Sequence, residues 1–230
     1  MISLPLAAAL ALAQIPGGVI DEGVLVVRRD SQQVARETFH LRERRPGDPA
    51  GGWLLDASAR WPGPGSRTTA FTPVLELAAD TAPAALAYDV VADGKSERIT
   101  GQPGPGRFTI RYLLPGVERA RELPGGPHIV IADDSVFSLF LVVAWHAPLS
   151  PDSAPTHVTA ILPRVASRAE LTLTDLGIVA TTVNRDPAVL RHILIAGGPM
   201  GPVHVWLDRD GRLMKVEIPD RSLRAERLPG

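Results

Sequence analysis

The strongest constraint on the fold is a two-residue alternation of apolar and polar side chains, repeated in short runs along most of the chain. The clearest run places apolar residues at every second position: Trp53, Leu55, Ala57, Ala59 and Trp61. Successive side chains of a β-strand point to opposite faces, so this pattern is typical of a strand with one buried face. Turn pairs such as Asp93-Gly94 and Asp210-Gly211 separate the runs, as in β-hairpins.

About ten such runs follow one another at intervals of roughly 8–12 residues, which is typical of all-β folds. Strands and helices do not alternate, and no repeat, low-complexity tract or long linker divides the chain. We therefore expect one domain over residues 14–230. Its fold class is mainly β, a single curved antiparallel sheet (an open half-barrel) of about ten strands, with one buried apolar helix.

The helix is expected in residues 133–147, DDSVFSLFLVVAWHA, an almost unbroken apolar run behind two acids. The acids and Ser135 favour a helix, because they are good N-cap residues at the positive end of the helix dipole. Three β-branched valines favour a strand buried on both faces instead. The run is too short to cross a membrane. We expect a helix against the concave face of the sheet, with a buried strand as the alternative.

Large aromatic side chains fall on the apolar faces of the strands and in the apolar run. Such rings fill β cores, and they also line ligand pockets. If the helix leaves part of the concavity free, the ligand-binding residues would be Trp53, Trp61, Phe108, Tyr112, Phe137, Phe140 and Trp145. Trp206 lies on the polar face of its run, so it is a candidate contact surface.

The first residues, MISLPLAAALALAQ, form a short apolar stretch that ends in Ala11-Leu12-Ala13, the small-x-small pattern of a signal-peptidase site. We expect residues 1–13 to be a signal peptide and the mature protein to be periplasmic or secreted. The net charge of −1 provides no field that would attract nucleic acid. The expected partner is an apolar or amphipathic small molecule or lipid. An envelope protein is the alternative, which would make the chain a structural or interaction module.

Motifs that would name a reaction do not occur in the sequence. The chain has no cysteine, no Gly-x-Ser-x-Gly elbow and no His-Glu-x-x-His, and its six histidines lack metal-ligand spacing. We expect a non-enzymatic protein without cofactor or metal. A hydrolase assembled from loops is a further alternative, which clustering of His128, Asp134 or His146 at a pocket would favour.

Two segments resemble uncharacterised secreted bacterial proteins. GVLVVRRDSQQVARETFHL follows the pattern V-x-x-E-x-F from Val34 to Phe39, and VHVWLDRDGRLMKVEIPDRSLRAERL follows V-W-x-D-x-x-G-R-L-x-x-V-x-I-P from Val205 to Pro219. Those proteins are similar in pattern to the open half-barrel of periplasmic lipoprotein-carrier and glycolipid-binding proteins. The resemblance implies a curved antiparallel sheet with helix across its concave face and an apolar ligand, and it implies no catalytic residues.

Overall fold

The computed structural model describes residues 18–44, 51–63, 67–126 and 128–229, so the predicted signal peptide lies outside the described residues. This part of the chain forms fifteen β-strands and one short α-helix. The elements are β1 (Val19–Arg29), β2 (Gln32–Glu43), β3 (Trp53–Pro62), β4 (Thr68–Leu77), β5 (Pro83–Ala92), β6 (Lys95–Gly104), β7 (Arg107–Leu114), β8 (Val117–Pro124), β9 (Ile129–Ile131), α1 (Leu139–Ala144), β10 (Thr156–Leu162), β11 (Ser167–Val183), β12 (Asp186–Ala196), β13 (Val203–Leu207), β14 (Leu213–Ile218) and β15 (Leu223–Arg227).

All fifteen strands belong to one sheet, in the order β8-β7-β6-β5-β4-β3-β2-β1-β15-β14-β13-β12-β11-β10-β9. Neighbouring strands are antiparallel except β9 and β10, which are parallel. Strands β1 and β15 pair near the middle, with Leu25 opposite Arg227. From β1 the strands follow in chain order to the β8 edge, and from β15 they follow in reverse order to the β9 edge. The protein is thus mainly β with one open sheet and one helix, as predicted. The prediction of about ten strands was wrong.

Strand β8 illustrates why the sequence pattern gave too few strands. Its sequence, VERARELP, alternates acids and arginines, and all of its residues except Leu123 are exposed. A strand exposed on both faces has no apolar face, so it leaves no two-residue apolar period. Strand β9 has only three residues and is too short to show a period.

The sheet curls until its β9 edge lies against β5. A 3-10 turn, Pro163–Val165, follows β10 and lies against β6. The carbonyl of Pro163 accepts a hydrogen bond from the Tyr112 hydroxyl on β7 at 2.6 Å. Strand β8 lies beyond this contact. In the described part of the chain, the two edge strands, β8 and β9, therefore do not pair with each other. We call the region where β5, β6 and β7 face β9 and the turn Pro163–Val165 the seam.

Residues 132–147, the inner segment, fill the concave side of the curl. Burial of its seven large apolar side chains contributes on the order of 10 kcal/mol. These residues are Val136, Phe137, Leu139, Phe140, Leu141, Val142 and Val143. Within the segment, Leu139–Ala144 forms α1, and all six residues are buried. The segment is therefore a buried helix rather than a buried strand, although the helix is shorter than predicted.

The helix was predicted to begin at the two acids, Asp133 and Asp134, and this prediction was wrong. Asp133 accepts the backbone N–H of Ser135 at 2.7 Å within a turn, and α1 begins after Ser138. The carboxylate at the start of the helix comes from Glu37 on β2. Its Oε2 accepts the N–H of Phe137 at 2.7 Å, and its Oε1 accepts the N–H of Ser138 at 2.9 Å. Unpaired N–H groups at a helix start need such acceptors, and a buried carboxylate needs donors.

Candidate ligand-binding groove at the seam

Five of the seven aromatic residues predicted to bind a ligand contact one another at the inner segment, three of them as part of that segment. Trp61 stacks on Phe137 with ring centroids 6.3 Å apart, and Phe137 contacts Phe140 at 6.5 Å. Trp53 meets Trp145 edge-on at 5.6 Å. These contacts are those of core residues. The structure thus brings the rings together as packing partners of the inner segment, and their ligand-binding role stays a prediction.

The other two predicted residues reach clefts at the periphery. Phe108 is fully buried and is one of the residues around a cleft of about 450 Å³ between the end of β6 and the start of β7. Tyr112 is half-buried at the seam and lines a groove there. The groove at the seam brings polar and aliphatic groups together around arginines that have no ion-pair partner among the described residues.

The seam groove has a volume of about 400 Å³ and lies between the β7–β8 hairpin and the turn Pro163–Val165. Its lining consists of Glu97, Tyr112, Leu114, Arg119, Ala120, Arg121, Arg164, Val165 and Ala166. In the hairpin, Arg119 lies opposite Tyr112, and Arg121 lies opposite the buried Ile110. Residues paired across two strands share a face of the sheet. Both arginines therefore stand on the concave side, toward the turn.

Arg119 and Arg121 have no ion-pair partner among the described residues. The arginines on the other face of the same hairpin do have partners: Arg111 contacts Glu118 at 2.8 Å, and Arg107 contacts Glu122 at 3.3 Å. The hairpin thus pairs its outward charges with each other, whereas its two concave guanidinium groups stay unpaired within the part of the chain that the structure describes.

A second pocket of about 290 Å³ lies on the other side of the turn and shares Arg164 and Val165 with the groove. Arg164 contacts the buried Asp133 at 2.6 Å and also contacts Asp134, which pairs with Arg221. The negative charges of the two acids cancel the positive charges of the two arginines in this network. Leu162, Pro199 and Met200 supply apolar lining. The acids predicted to cap the helix therefore hold the turn in place.

Charge and protonation in the groove favour an anionic group. Glu97 also lines it, so Arg119 and Arg121 leave an excess of one positive charge. Burial raises the pKa of Tyr112, and the nearby Glu97 carboxylate adds to the rise. The tyrosine hydroxyl is therefore a neutral donor at physiological pH, held by the Pro163 carbonyl. The arrangement can bind an anion beside aliphatic surface.

Sequence reasoning found Tyr112 but missed the two arginines, because β8 carries no apolar pattern that would mark it as a strand. The alternation of Glu and Arg over residues 118–122 was the available signal. The sequence analysis also missed the role of Glu37, which alternates with Ala35, Phe39 and Leu41 on one face of its strand. An acid surrounded by apolar neighbours was the signal there, since a buried carboxylate requires donors.

The histidine and aspartate residues proposed for a hydrolase do not form one site. His128 and His146 lie with ring centroids 6.4 Å apart, and His146 Nε2 is 3.2 Å from the Thr81 hydroxyl. Burial lowers the pKa of His146, and the nearby His128 adds to the effect. Asp134 instead belongs to the arginine network and lines a different pocket from His128.

The described residues also bear on metal binding and on membrane insertion. Residues 18–44, 51–63, 67–126 and 128–229 contain no group of three or more His, Asp or Glu side chains that could hold a metal ion. Within the same ranges, none of the helical segments combines the length and the apolar character needed to cross a membrane.

Trp206 is not an exposed contact surface, contrary to the sequence-based expectation. It is 6% exposed, because the outer half of the β11–β12 hairpin covers it with Val183 and Leu190. His192 also stacks on the indole, with ring centroids 4.4 Å apart. Trp206 thus belongs to a small apolar cluster between the hairpin and the convex face of the sheet.

The single curled sheet with a filled concavity defines a β-barrel-like protein. Among solved structures, the chain is similar to a crystal structure described as a beta-barrel-like protein of domain of unknown function DUF1849 from Brucella abortus. The TM-score is 0.54 at 13% identity, and the match covers 92% of this chain and 98% of that chain. At this identity the likeness shows the fold alone. No family model and no curated protein matches the chain.

Proposed function

We propose that the protein is a non-enzymatic binding protein of the periplasm or the cell exterior. Its ligand would be an amphiphile with an aliphatic chain and an anionic head group. The observation that carries this proposal is the pair of arginines, Arg119 and Arg121, that face the aliphatic lining of the seam groove without an ion-pair partner among the described residues.

The head group would meet the arginines. A guanidinium presents a rigid fork of donors that matches carboxylate and phosphate oxygens, and such charge-assisted hydrogen bonds are stronger than neutral ones. Leu114, Val165 and Ala166 supply aliphatic surface beside them, and Val165 is exposed. The groove has the size of a small-molecule site, for which about 300–1,000 Å³ is usual. Charge and apolar surface together favour an amphiphile over a simple ion.

The groove is favoured over the concave core because the inner segment already occupies the core. Displacing the segment would expose seven buried apolar side chains, at a cost on the order of 10 kcal/mol. A ligand in the groove needs no such rearrangement. The proposal therefore keeps the amphipathic ligand predicted from the sequence but moves its site from the aromatic core to the seam.

Calorimetric titration of the purified chain with dodecyl phosphate and dodecanoate tests the proposal. Both probes are used below their micelle-forming concentrations, and dodecyltrimethylammonium and inorganic phosphate serve as comparison ligands. Arg119→Ala and Arg121→Ala should each weaken binding of dodecyl phosphate about tenfold, because each removes a charge-assisted contact. Arg111→Ala is the matched control, since Arg111 lies on the opposite face of the same hairpin and pairs with Glu118.

Equal binding of the cationic amphiphile would contradict the proposal, as would a loss in Arg111→Ala equal to that in Arg121→Ala. Binding of inorganic phosphate as tightly as dodecyl phosphate would reduce the site to an anion site. For the compartment, fractionation of cells that express a C-terminally tagged chain should recover it outside the cytoplasm. Recovery with cytoplasmic proteins would contradict that part.

A further inference from the structure

The end of the β7–β8 hairpin projects from the rest of the molecule. Residues 113–122 are all exposed, so both faces of the hairpin meet solvent there. Leu114 pairs with Val117 at this end, and Leu113, Leu114 and Val117 are 38%, 37% and 47% exposed. Across the seam groove, Val165 is 64% exposed, and it lines the groove together with Leu114. We call Leu113, Leu114, Val117 and Val165 the aliphatic rim.

Cations without an ion-pair partner among the described residues lie directly behind the aliphatic rim. Arg119 and Arg121 follow Val117 on β8 at intervals of two residues, so the three side chains share the groove face of the strand. At the rise of a β-strand, Arg119 lies about 7 Å and Arg121 about 14 Å behind Val117. Lys95 begins β6, the strand next to β7, and is exposed and likewise unpaired within the described ranges.

The acids near the rim leave these cations in excess. Glu118 pairs with Arg111 on the other face of the hairpin at 2.8 Å, and Asp93 pairs with Arg67 at 3.5 Å. Glu97 lines the groove and has no ion-pair partner in the described part of the chain. One unpaired acid thus stands against three unpaired cations here, although the whole chain has a net charge of −1. The positive charge at the rim is therefore local.

The basic surface continues around the same end of the sheet. Antiparallel neighbours alternate in direction, so β3 and β7 end on the same side. Arg36 on β2 and Arg60 on β3 lie directly opposite each other, and both are exposed and unpaired among the described residues. Like charges placed opposite each other repel, and an anionic surface would relieve that repulsion. Asp30 and Asp220 are exposed acids of this end and lie farther along the sheet, in the turns after β1 and β14.

We infer that the aliphatic rim and the cations behind it dock the protein on a membrane surface that contains anionic phospholipid. The rim side chains would enter the boundary between head groups and acyl chains, and the cations would meet the lipid phosphates one level farther out. Docking would place the mouth of the seam groove against the bilayer, from which an amphiphile would enter it. The inference goes beyond the proposed ligand site and does not require that site to hold a ligand.

A bilayer suits the rim better than an acidic protein does. A standard protein interface takes about 20–30 residues from each side and packs them with shape complementarity. The aliphatic rim has four residues and lies at a narrow, projecting end of the sheet. A fluid bilayer admits single side chains without a shape match, and its surface potential attracts each nearby Lys or Arg.

Flotation of the full chain with vesicles tests the inference. The vesicles contain phosphatidylcholine alone or phosphatidylcholine and phosphatidylglycerol in equal parts. The chain should bind the anionic vesicles, and added salt should weaken binding because it screens charge. Leu113→Ser combined with Val117→Ser should weaken binding about tenfold, because two apolar side chains are lost. Ile178→Ser combined with Val189→Ser is the matched control, since these residues are 77% and 70% exposed on the β11–β12 hairpin.

The contribution of charge is tested in the same assay. Lys95→Gln should weaken binding to the anionic vesicles about fivefold, at about 1 kcal/mol for each cation near the surface. Arg185→Gln is the control, because Arg185 is exposed at the tip of the β11–β12 hairpin and has no ion-pair partner among the described residues. Circular dichroism spectra should show that all variants remain folded.

Affinity for dodecyl phosphate separates this inference from the proposed function. Leu113 and Val117 do not line the groove, so their double variant should lose vesicle binding and keep its affinity for dodecyl phosphate. Vesicle binding by a chain that does not bind dodecyl phosphate would support the docking surface and contradict only the proposed function.

The lack of native cysteine permits a second measurement that locates the contact. An environment-sensitive fluorophore on Val117→Cys should shift to shorter wavelength with anionic vesicles, and one on Ile178→Cys should not. Equal binding to phosphatidylcholine vesicles, or equal losses in the two serine double variants, would overturn the inference. Polyglutamate that binds as tightly as the anionic vesicles would assign the surface to an acidic protein and would also overturn it.

Discussion

Glu37 on β2 accepts the backbone N–H of Phe137 at 2.7 Å, although 100 residues of chain separate the two. The same carboxylate accepts the N–H of Ser138, and its side chain is fully buried. One acid therefore joins the sheet to the inner segment that fills its concavity. Burial raises the pKa of Glu37 to about 7, against the lowering effect of the hydrogen bonds from Ser138 and Phe137.

This relationship predicts a pH dependence of stability. The pKa of Glu37 in the folded state lies above its unfolded value of 4.5. The contribution of the protonated form is therefore fully present below pH 4.5 and is lost as the pH rises through about 7. The loss is at most roughly 3 kcal/mol, at 1.36 kcal/mol per pKa unit.

Glu37→Gln cannot titrate, so the difference in free energy of unfolding between wild type and this variant should shift against wild type from about pH 5 to about pH 8. Urea denaturation at several pH values measures that difference and cancels the titration of the histidines, which both proteins share. A difference that stays constant across the range would mean that Glu37 does not titrate there.

The extent to which the sequence predicted this arrangement differs from residue to residue. The alternation from Trp53 to Trp61 predicted β3, because a strand with one buried face leaves a two-residue period. The same alternation in β2 places Glu37 on the face of Ala35, Phe39 and Leu41. It could not find Phe137 as the partner, since a hydrogen bond across the fold leaves no local pattern. Asp133 matched the local pattern of a helix cap, but its ion-pair partner is Arg164, far along the chain. That contact likewise leaves no local pattern.

Removal of Arg227 is predicted to destabilise the join between β1 and β15. Its Nη1 contacts the buried Asp21 carboxylate at 2.6 Å. Burial raises the pKa of Asp21, and hydrogen bonds from Leu213 and Arg227 lower it in turn. Arg227→Met leaves that carboxylate buried without its cation, which should cost about 3 kcal/mol or more in urea denaturation.

The matched control for that change is Arg224→Met on the same strand. Arg224 is exposed and contacts Glu217 at 2.7 Å, and exposed ion pairs are worth at most about 1 kcal/mol. Equal losses from the two variants would show that the burial of Asp21 does not decide the effect.

Gly101→Ala is predicted to overpack the core beside Phe108. A Cβ at Gly101 would lie 2.7 Å from Cε1 of the Phe108 ring and 3.2 Å from Cβ of Leu86. Phe108 is fully buried, so the ring has little room to move. Overpacking of this kind costs about 1–3 kcal/mol, measurable as a lower Tm. Gly18→Ala meets no atom within 4 Å and should leave the Tm nearly unchanged.

Trp61→Phe separates the two roles that the sequence allows for the core aromatic residues. The indole Nε1 donates to the Ser135 carbonyl at 2.9 Å, and the ring stacks on Phe137. Loss of the hydrogen bond should lower the free energy of unfolding by about 1–2 kcal/mol. Affinity for dodecyl phosphate should stay unchanged, because the ligand is proposed to bind at the seam. If the variant instead kept its stability and lost the ligand, Trp61 would line the binding site and the seam groove would not be that site.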